Sequence, residues 1–126
     1  MTYKNKIVWI TGASSGIGES FAKAYYREGA KLILSSRRTE ELERVKKDLG
    51  ADDERIKILK LDLALAHELP AKANEAISLF GTIDVLINNG GISQRSLFAE
   101  TEMETIRKLM EVNFFGSAAL TREVLP

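Results

Sequence analysis

Four short apolar runs punctuate the chain: IVWI at 7–10, LIL at 32–34, IKILKL at 56–61 and VLI at 85–87. Each precedes a longer stretch in which apolar residues recur at helical spacing, which is the pattern of strands alternating with amphipathic helices. A first helix is predicted over 17–28, with Ile17, Phe21, Ala24 and Tyr25 on its inner face and Gly29 as the left-handed residue past its end. Thr39 can cap a second, with Glu40 and Glu41 in its first turn, Leu42, Val45 and Leu49 inward, and Gly50 as the stop. A third runs from near Pro70 through Ala73, Ile77 and Phe80 to Gly81. A fourth opens on a capping box, Thr101 with Glu104, and extends to about Leu125. Its inward stripe is Ile106, Leu109, Asn113, Gly116, Leu120 and Val124.

Strand and helix alternate four times, so right-handed crossovers give a parallel sheet with helices on both faces. IVWI and VLI are apolar throughout, as strands buried on both faces should be, whereas Lys57 and Lys60 mark IKILKL as an edge. The order 3-2-1-4 satisfies both. The fold expected is therefore α/β, a Rossmann-type doubly wound sheet, in one domain spanning 1–126 with no internal repeat or linker.

Composition narrows the function classes. The chain is 44% hydrophobic and 29% charged, the profile of a soluble globular protein. Eighteen basic residues balance eighteen acidic ones, leaving no net field to attract nucleic acid or an anionic membrane, so neither is expected as a partner. The absence of cysteine removes disulfides, thiolate nucleophiles and Cys-based zinc sites; no metal is expected, and a cytoplasmic setting fits. The apolar run near the N-terminus stops after four residues, far short of a signal h-region or a membrane span. The single histidine, His67, has no partner cluster and reads as surface.

The chemistry concentrates at strand ends. Residues 11–18, TGASSGIG, join the first strand to the first helix. Amides and the positive dipole end of a helix N-terminus face an anion there, and glycines let the anion come close. A Walker-type loop is excluded because no Gly-Lys-Ser/Thr follows, and the glycines at 12, 16 and 18 do not make the G-x-G-x-x-G spacing either. Asp62, just past the third strand, faces the same crevice or serves as a turn residue. Asn113 interrupts an apolar stripe, and a buried amide must find hydrogen-bond partners.

TGASSGIG, LDL at 61–63, INNGG at 87–91 and VNFFG at 112–116 together resemble the short-chain dehydrogenase/reductase family, in family order and spacing over nearly the whole chain. The resemblance implies that Gly12, Ser14, Ser15, Gly16, Ile17 and Gly18 contact the pyrophosphate and ribose of a dinucleotide. It implies that Asp62 meets the adenine amino group with Leu63 beside it, and that Asn89, Gly90 and Gly91 belong to the cofactor site. Gly90 stands where the family more often has Ala, which should loosen the backbone there without removing the contact made by Asn89. Asn88 reads as a structural bridge between neighbouring strands. Ser93, Gln94 and Arg95 read as a solvated loop, with a place in a substrate cleft as the alternative. Asn113 takes the place of the catalytic-tetrad Asn that holds a water in the proton relay to a lysine.

Residues 35–38, SSRR, bear on the choice of cofactor. An acid at the end of the second strand binds the ribose 2′-hydroxyl of NAD(H), whereas an Arg there accommodates a 2′-phosphate. Ser36 holds the acid's place, followed by Arg37 and Arg38, whose guanidinium groups can clamp a phosphate. Two arginines ahead of a helix N-terminus oppose its dipole, so a purely structural role explains them poorly. NADP(H) is favoured over NAD(H), although the family's other basic marker, before the second glycine, is replaced by Ser15.

The rest of the tetrad, a Ser and a Tyr-x-x-x-Lys, is missing. The tyrosines at 3, 25 and 26 are followed four residues on by Ile7, Gly29 and Ala30. A complete doubly wound fold has two halves, and this chain carries the first plus about one further unit, with the C-terminal half missing. The expectation is a truncated NADP(H)-dependent oxidoreductase, inactive by itself, whose complete form moves hydride between nicotinamide C4 and a carbonyl or alcohol carbon of a small molecule. A non-catalytic dinucleotide-binding or oligomerising module is the alternative. The open edge at VLI and the apolar face of the long helix, which in the family commonly packs in a subunit interface, point to a homo-oligomer, dimer or tetramer.

Overall fold

A computed structural model of the chain describes residues 2–92 and 97–125. Ser93, Gln94 and Arg95 lie outside the described residues. Strands β1 (Ile7–Thr11), β2 (Lys31–Ser35), β3 (Ile56–Ile58) and β4 (Val85–Ile87) form one parallel sheet in the order β3-β2-β1-β4. This is the expected 3-2-1-4 arrangement.

The period-2 alternation of β1 divides the core. Ile7 and Trp9 join Ile33, Leu69, Ala73, Ala76, Val112 and Leu120 on one face, while Val8 and Ile10 join Ala22, Leu32, Leu34, Leu42 and Val45 on the other. Helices α1 (Gly16–Arg27) and α2 (Thr39–Asp48) therefore cover one face. Helix α3 (Leu69–Phe80) and the last helix of the chain cover the opposite one. Each fully buried Leu, Ile or Val contributes about 1.5–3 kcal/mol, and β1, buried along its whole length, is the centre of the stack. Trp9 keeps its indole N–H satisfied there by donating to the Ser35 hydroxyl at 2.8 Å.

β4 ends the sheet, the open edge expected at VLI, but each of its residues is only half-buried rather than buried on both faces. IKILKL lies at the opposite edge as expected. Although β3 is short, the chain continues alongside β2 through amides of Leu59 and Leu61 bonded to the carbonyls of Leu34 and Ser36, each at 3.0 Å.

Helix stops follow the glycines: Gly29, Gly50 and Gly81 all adopt positive φ, of 87°, 70° and 93°. Helix starts do not follow the threonines. Thr39 is the first residue of α2 rather than its cap, since the Arg38 carbonyl accepts the Leu42 amide at 3.3 Å and so makes Arg38 the cap. Helix α4 (Met103–Met110) is preceded by Glu102, with no side-chain cap, and the Thr101 hydroxyl donates instead to the Leu97 carbonyl at 2.9 Å. Neither expected side-chain cap forms.

Two expected helix faces are also corrected. In α1 the buried residues are Gly18 and Ala22, while Ile17 is 68% exposed and Phe21 and Ala24 are exposed. A Cβ on Gly18 would lie 2.0 Å from the Gly12 carbonyl oxygen, so the close approach of helix to strand selects the small residues instead of the bulky ones. The long fourth helix is interrupted: α4 runs into a π-helical segment, Glu111–Gly116, and then into α5 (Ser117–Val124). The wider π turn shifts the stripe by a residue, burying Val112 and leaving Asn113 exposed. Asn113 is therefore not the buried amide that the uninterrupted 3.6-residue period placed in the core.

Candidate functional site

The end of β1 organises its surroundings through Thr11, which is 1% exposed. Its hydroxyl oxygen accepts the amides of Asn89 at 3.1 Å and Gly90 at 2.8 Å, and its proton reaches the Ile87 carbonyl at 3.4 Å. The chain then turns at Gly12, whose φ of 63° and whose distance of only 2.8 Å from a would-be Cβ to the Asn89 carbonyl oxygen both require glycine. Asn89 returns a side-chain N–H to the Gly12 carbonyl at 3.1 Å. The loops after β1 and β4 are thus one interlocked unit.

From Gly12 the chain passes buried Ser14 and extended Ser15 into α1, where no side chain caps the first-turn amides. Those amides and the helix dipole are the donors an anion uses. A Cβ on Gly16 would meet nothing within 4 Å, so the turn is open on that side.

A cavity of about 340 Å³ lies where the four strands end. One wall is Thr11, Gly12, Ser14 and Ser15; a second is Ser35 with Ser36, Arg37 and Arg38. Residues 61–64 and 89–92 form two more, and Lys108 and Val112 from the long helix complete it. Gly116 permits that helix to come so near, because a Cβ there would lie 2.6 Å from the Leu63 carbonyl oxygen. Cations (Arg37, Arg38 and Lys108) outnumber the lining's one carboxylate, Asp62, which suits an anionic ligand.

The structure brings most of the expected residues together. Gly12, Ser14, Ser15, Ser36, Arg37, Arg38, Asp62, Leu63, Asn89, Gly90 and Gly91 all line the cavity, whereas Gly16, Ile17, Gly18 and Asn113 do not. Asp62 is half-buried and also makes a turn, its Oδ1 accepting the Ala64 amide at 3.0 Å. Gly90 is not loosened by lacking a side chain: Thr11 holds its amide, and a Cβ would stand 2.7 Å from Leu63 Cδ1. Asn113 exchanges two hydrogen bonds of 2.7 Å with the backbone of Ile92, one accepted by Oδ1 and one donated by Nδ2, so it fastens the loop after β4 to the π segment.

The paired asparagines divide labour differently from expectation. Asn89 bridges β4 to β1, while Asn88 reaches away and donates to the Thr121 hydroxyl on α5 at 2.8 Å. Lys108 was missed altogether in the sequence. Its spacing of four residues from Val112 placed both on one helical face, and that was the available signal.

A parallel sheet with an open glycine turn at its central strand and a cation-rich cavity at its carboxyl edge defines a doubly wound α/β protein with an anion-suited cleft. Residues 6–126 match the family model described as short chain dehydrogenase, and the chain belongs to that family. It is 50% identical over 125 residues to a Drosophila melanogaster "Dehydrogenase/reductase SDR family protein 7-like", covering 96% of this chain and 38% of that protein. It is 45% identical to the Homo sapiens "Dehydrogenase/reductase SDR family member 7", covering 95% and 37%.

Among solved structures, a short-chain dehydrogenase from Streptomyces avermitilis superposes with a TM-score of 0.89 at 35% identity, over all of this chain and 45% of that one. A 3-ketoacyl-(acyl-carrier-protein) reductase from Brucella melitensis, complexed with NADH, gives 0.89 at 31% identity, over 98% and 50%. The chain thus spans less than two fifths of the length of those curated relatives and about half of those solved chains.

Proposed function

We propose that the chain is the cofactor-holding part of an NADP(H)-dependent oxidoreductase. The observation that carries this reading is the cavity that has the glycine turn on one wall and Arg37 and Arg38 on another, with the turn's amides uncapped. Family membership supports a nicotinamide dinucleotide, and the Brucella relative was complexed with NADH.

In this reading the turn from Gly12 to Gly18 receives the pyrophosphate at the start of α1, with Ser14, Ser15, Gly16 and Ile17 around it. Gly18 acts by letting α1 dock tightly on Gly12. Ser36, Arg37 and Arg38 take the ribose 2′-phosphate, where a fork of donors matches a group carrying roughly −1.5 to −2 charge. Asp62 accepts from the adenine amino group, and Leu63 and Val112 supply apolar walls. Asn89, Gly90 and Gly91 line the passage beyond. Asn113 holds the backbone of Ile92. The cofactor, when bound, supplies or takes up the hydride exchanged with a carbonyl or alcohol carbon of a small molecule.

A second reading is a dinucleotide-binding or oligomerising module without turnover, supported by the exposed Phe114 and Phe115 of the long helix. We place the full-length protein in a homo-oligomer, on the exposed Phe114 and Phe115 of the long helix, and in the cytoplasm. No helix among the described residues is long and apolar enough to cross a membrane. The test is NADPH consumption by the full-length protein against a panel of aldehydes and ketones. Steady turnover supports the oxidoreductase; saturable NADPH binding without turnover on any carbonyl supports the module instead.

A further inference from the structure

One side chain ties α2 to the glycine turn. Arg44 uses all five of its guanidinium N–H groups. Nε donates to Glu41 at 3.0 Å and Nη1 to Asp48 at 3.1 Å, both on α2 itself, three residues before and four after. Those two carboxylates set the direction of the fork. Its other arms leave the helix: Nη2 donates to the Ser14 carbonyl at 3.2 Å and to Glu19 Oε1 at 2.9 Å, and Nη1 to Glu19 Oε2 at 3.4 Å. The bidentate pairing holds the Glu19 carboxyl below its ordinary range, against the opposing effect of partial burial.

Stability is a modest part of what this arrangement does. The Arg44 side chain is 41% exposed and that of Glu19 17%, so the bidentate pair adds only modestly to folding. What it fixes is a peptide plane. The Ser14 carbonyl and the Ser15 amide share one trans peptide and point in opposite directions, so holding the carbonyl on Arg44 also sets the amide of Ser15, a residue lining the cavity. The same helix begins directly after Arg38, which is its N-cap. One rigid element therefore carries the Arg37 and Arg38 corner at its start and the grip on the glycine turn two turns later.

We propose that Arg44 is a positioning residue for nucleotide binding, locking the glycine turn to α2 so that a ligand bearing both a 2′-phosphate and a 5′-diphosphate meets both corners of the cavity at once. The inference rests on the dinucleotide reading above. It is tested in the full-length protein with Arg44→Met, Arg44→Lys and Glu19→Gln, titrated with NADP⁺ and with adenosine 2′-monophosphate, which lacks the diphosphate. Coupling between two sites of this sort is worth about fivefold or more in affinity. Arg44→Met is expected to weaken NADP⁺ by at least that factor and to leave adenosine 2′-monophosphate unchanged. Arg44→Lys, which keeps the charge but loses the fork, recovers only part, and Glu19→Gln shifts the same ligand in the same direction.

Unchanged NADP⁺ affinity in Arg44→Met and Glu19→Gln overturns the inference, as does an equal loss for both ligands. Failure of the unaltered protein to bind NADP⁺ overturns the dinucleotide reading itself.

Discussion

Replacing Gly18 with Ala tests whether the tight seat of α1 on β1 is what shapes the glycine turn. The added Cβ would lie 2.0 Å from the Gly12 carbonyl oxygen and 2.6 Å from Asn89 Nδ2. Carbon and oxygen must part by roughly 1.4 Å more before reaching the 3.4 Å at which ordinary contact begins. The obstacle is backbone, so no rotamer change relieves it. Either α1 lifts from the sheet, loosening Ala22, or the turn opens and breaks the hydrogen bond from Asn89 to Gly12. Overpacking of this kind costs about 1–3 kcal/mol, and the lost hydrogen bond adds about 1 kcal/mol. A total near 2–4 kcal/mol corresponds to a fall in Tm of roughly 5–15 °C.

Two companions separate the causes. Gly16→Ala meets open space and pays only for its positive φ, about 1 kcal/mol. Gly90→Ala meets only side chains, the Leu63 methyl at 2.7 Å and Thr11 at 3.1 and 3.3 Å, which must give a few tenths of an ångström at a cost of about 1 kcal/mol. Thermal unfolding followed by circular dichroism, with nucleotide titration at a temperature where all variants are folded, is the assay. The expected order of damage is Gly18 well above Gly16 and Gly90. A Gly18→Ala protein with the original Tm and the original nucleotide affinity would refute the reasoning.

Two further outcomes follow from the same geometry. Thr11→Val keeps the shape of a buried residue but strips the acceptor from the amides of Asn89 and Gly90; it should cost about 1–3 kcal/mol in chemical denaturation, and a loss below measurement would show that the hydroxyl does not hold the two loops together. Because Arg44 lowers the Glu19 pKa, Glu19 contributes stability that is fully present above the ordinary carboxylate value of about 4.3 and is lost as pH falls through its lower folded-state value. Tm measured against pH should therefore fall less steeply at acid pH in Glu19→Gln than in the unaltered protein, and identical acid limbs would contradict that linkage.

The fold was legible because its signals are local and redundant. Apolar runs alternating with helical spacing mark the four strands, Gly29, Gly50 and Gly81 mark the helix stops, Lys57 and Lys60 mark one edge, and LDL, INNGG and VNFFG mark the strand ends and the helix that line the cavity. What escaped was decided by fit between elements. Bulk in Ile17 and Phe21 suggested the inner face of α1, but the distance between Gly12 and Gly18 admits only small residues. A period of 3.6 placed Asn113 in the core, and a single π turn moved Val112 there in its place. Thr39 and Thr101 have capping chemistry, yet the carbonyl of Arg38 accepts the Leu42 amide and so starts the second helix one residue early, and the hydroxyl of Thr101 turns back to Leu97. Arg44 stands 25 residues from Glu19 in sequence, and nothing in its neighbourhood announces the contact.

The most direct measurement is a fluorescence titration of the full-length protein with NADPH and with NADH, repeated for Arg37→Ala. Saturable binding of both is expected, with NADPH tighter by about tenfold or more, the worth of a charge-assisted hydrogen bond to the 2′-phosphate. Arg37→Ala should bring the two affinities together by weakening NADPH alone. Equal affinities in the unaltered protein would contradict the role given to Arg37, and no saturable binding of either nucleotide would contradict the dinucleotide site as a whole.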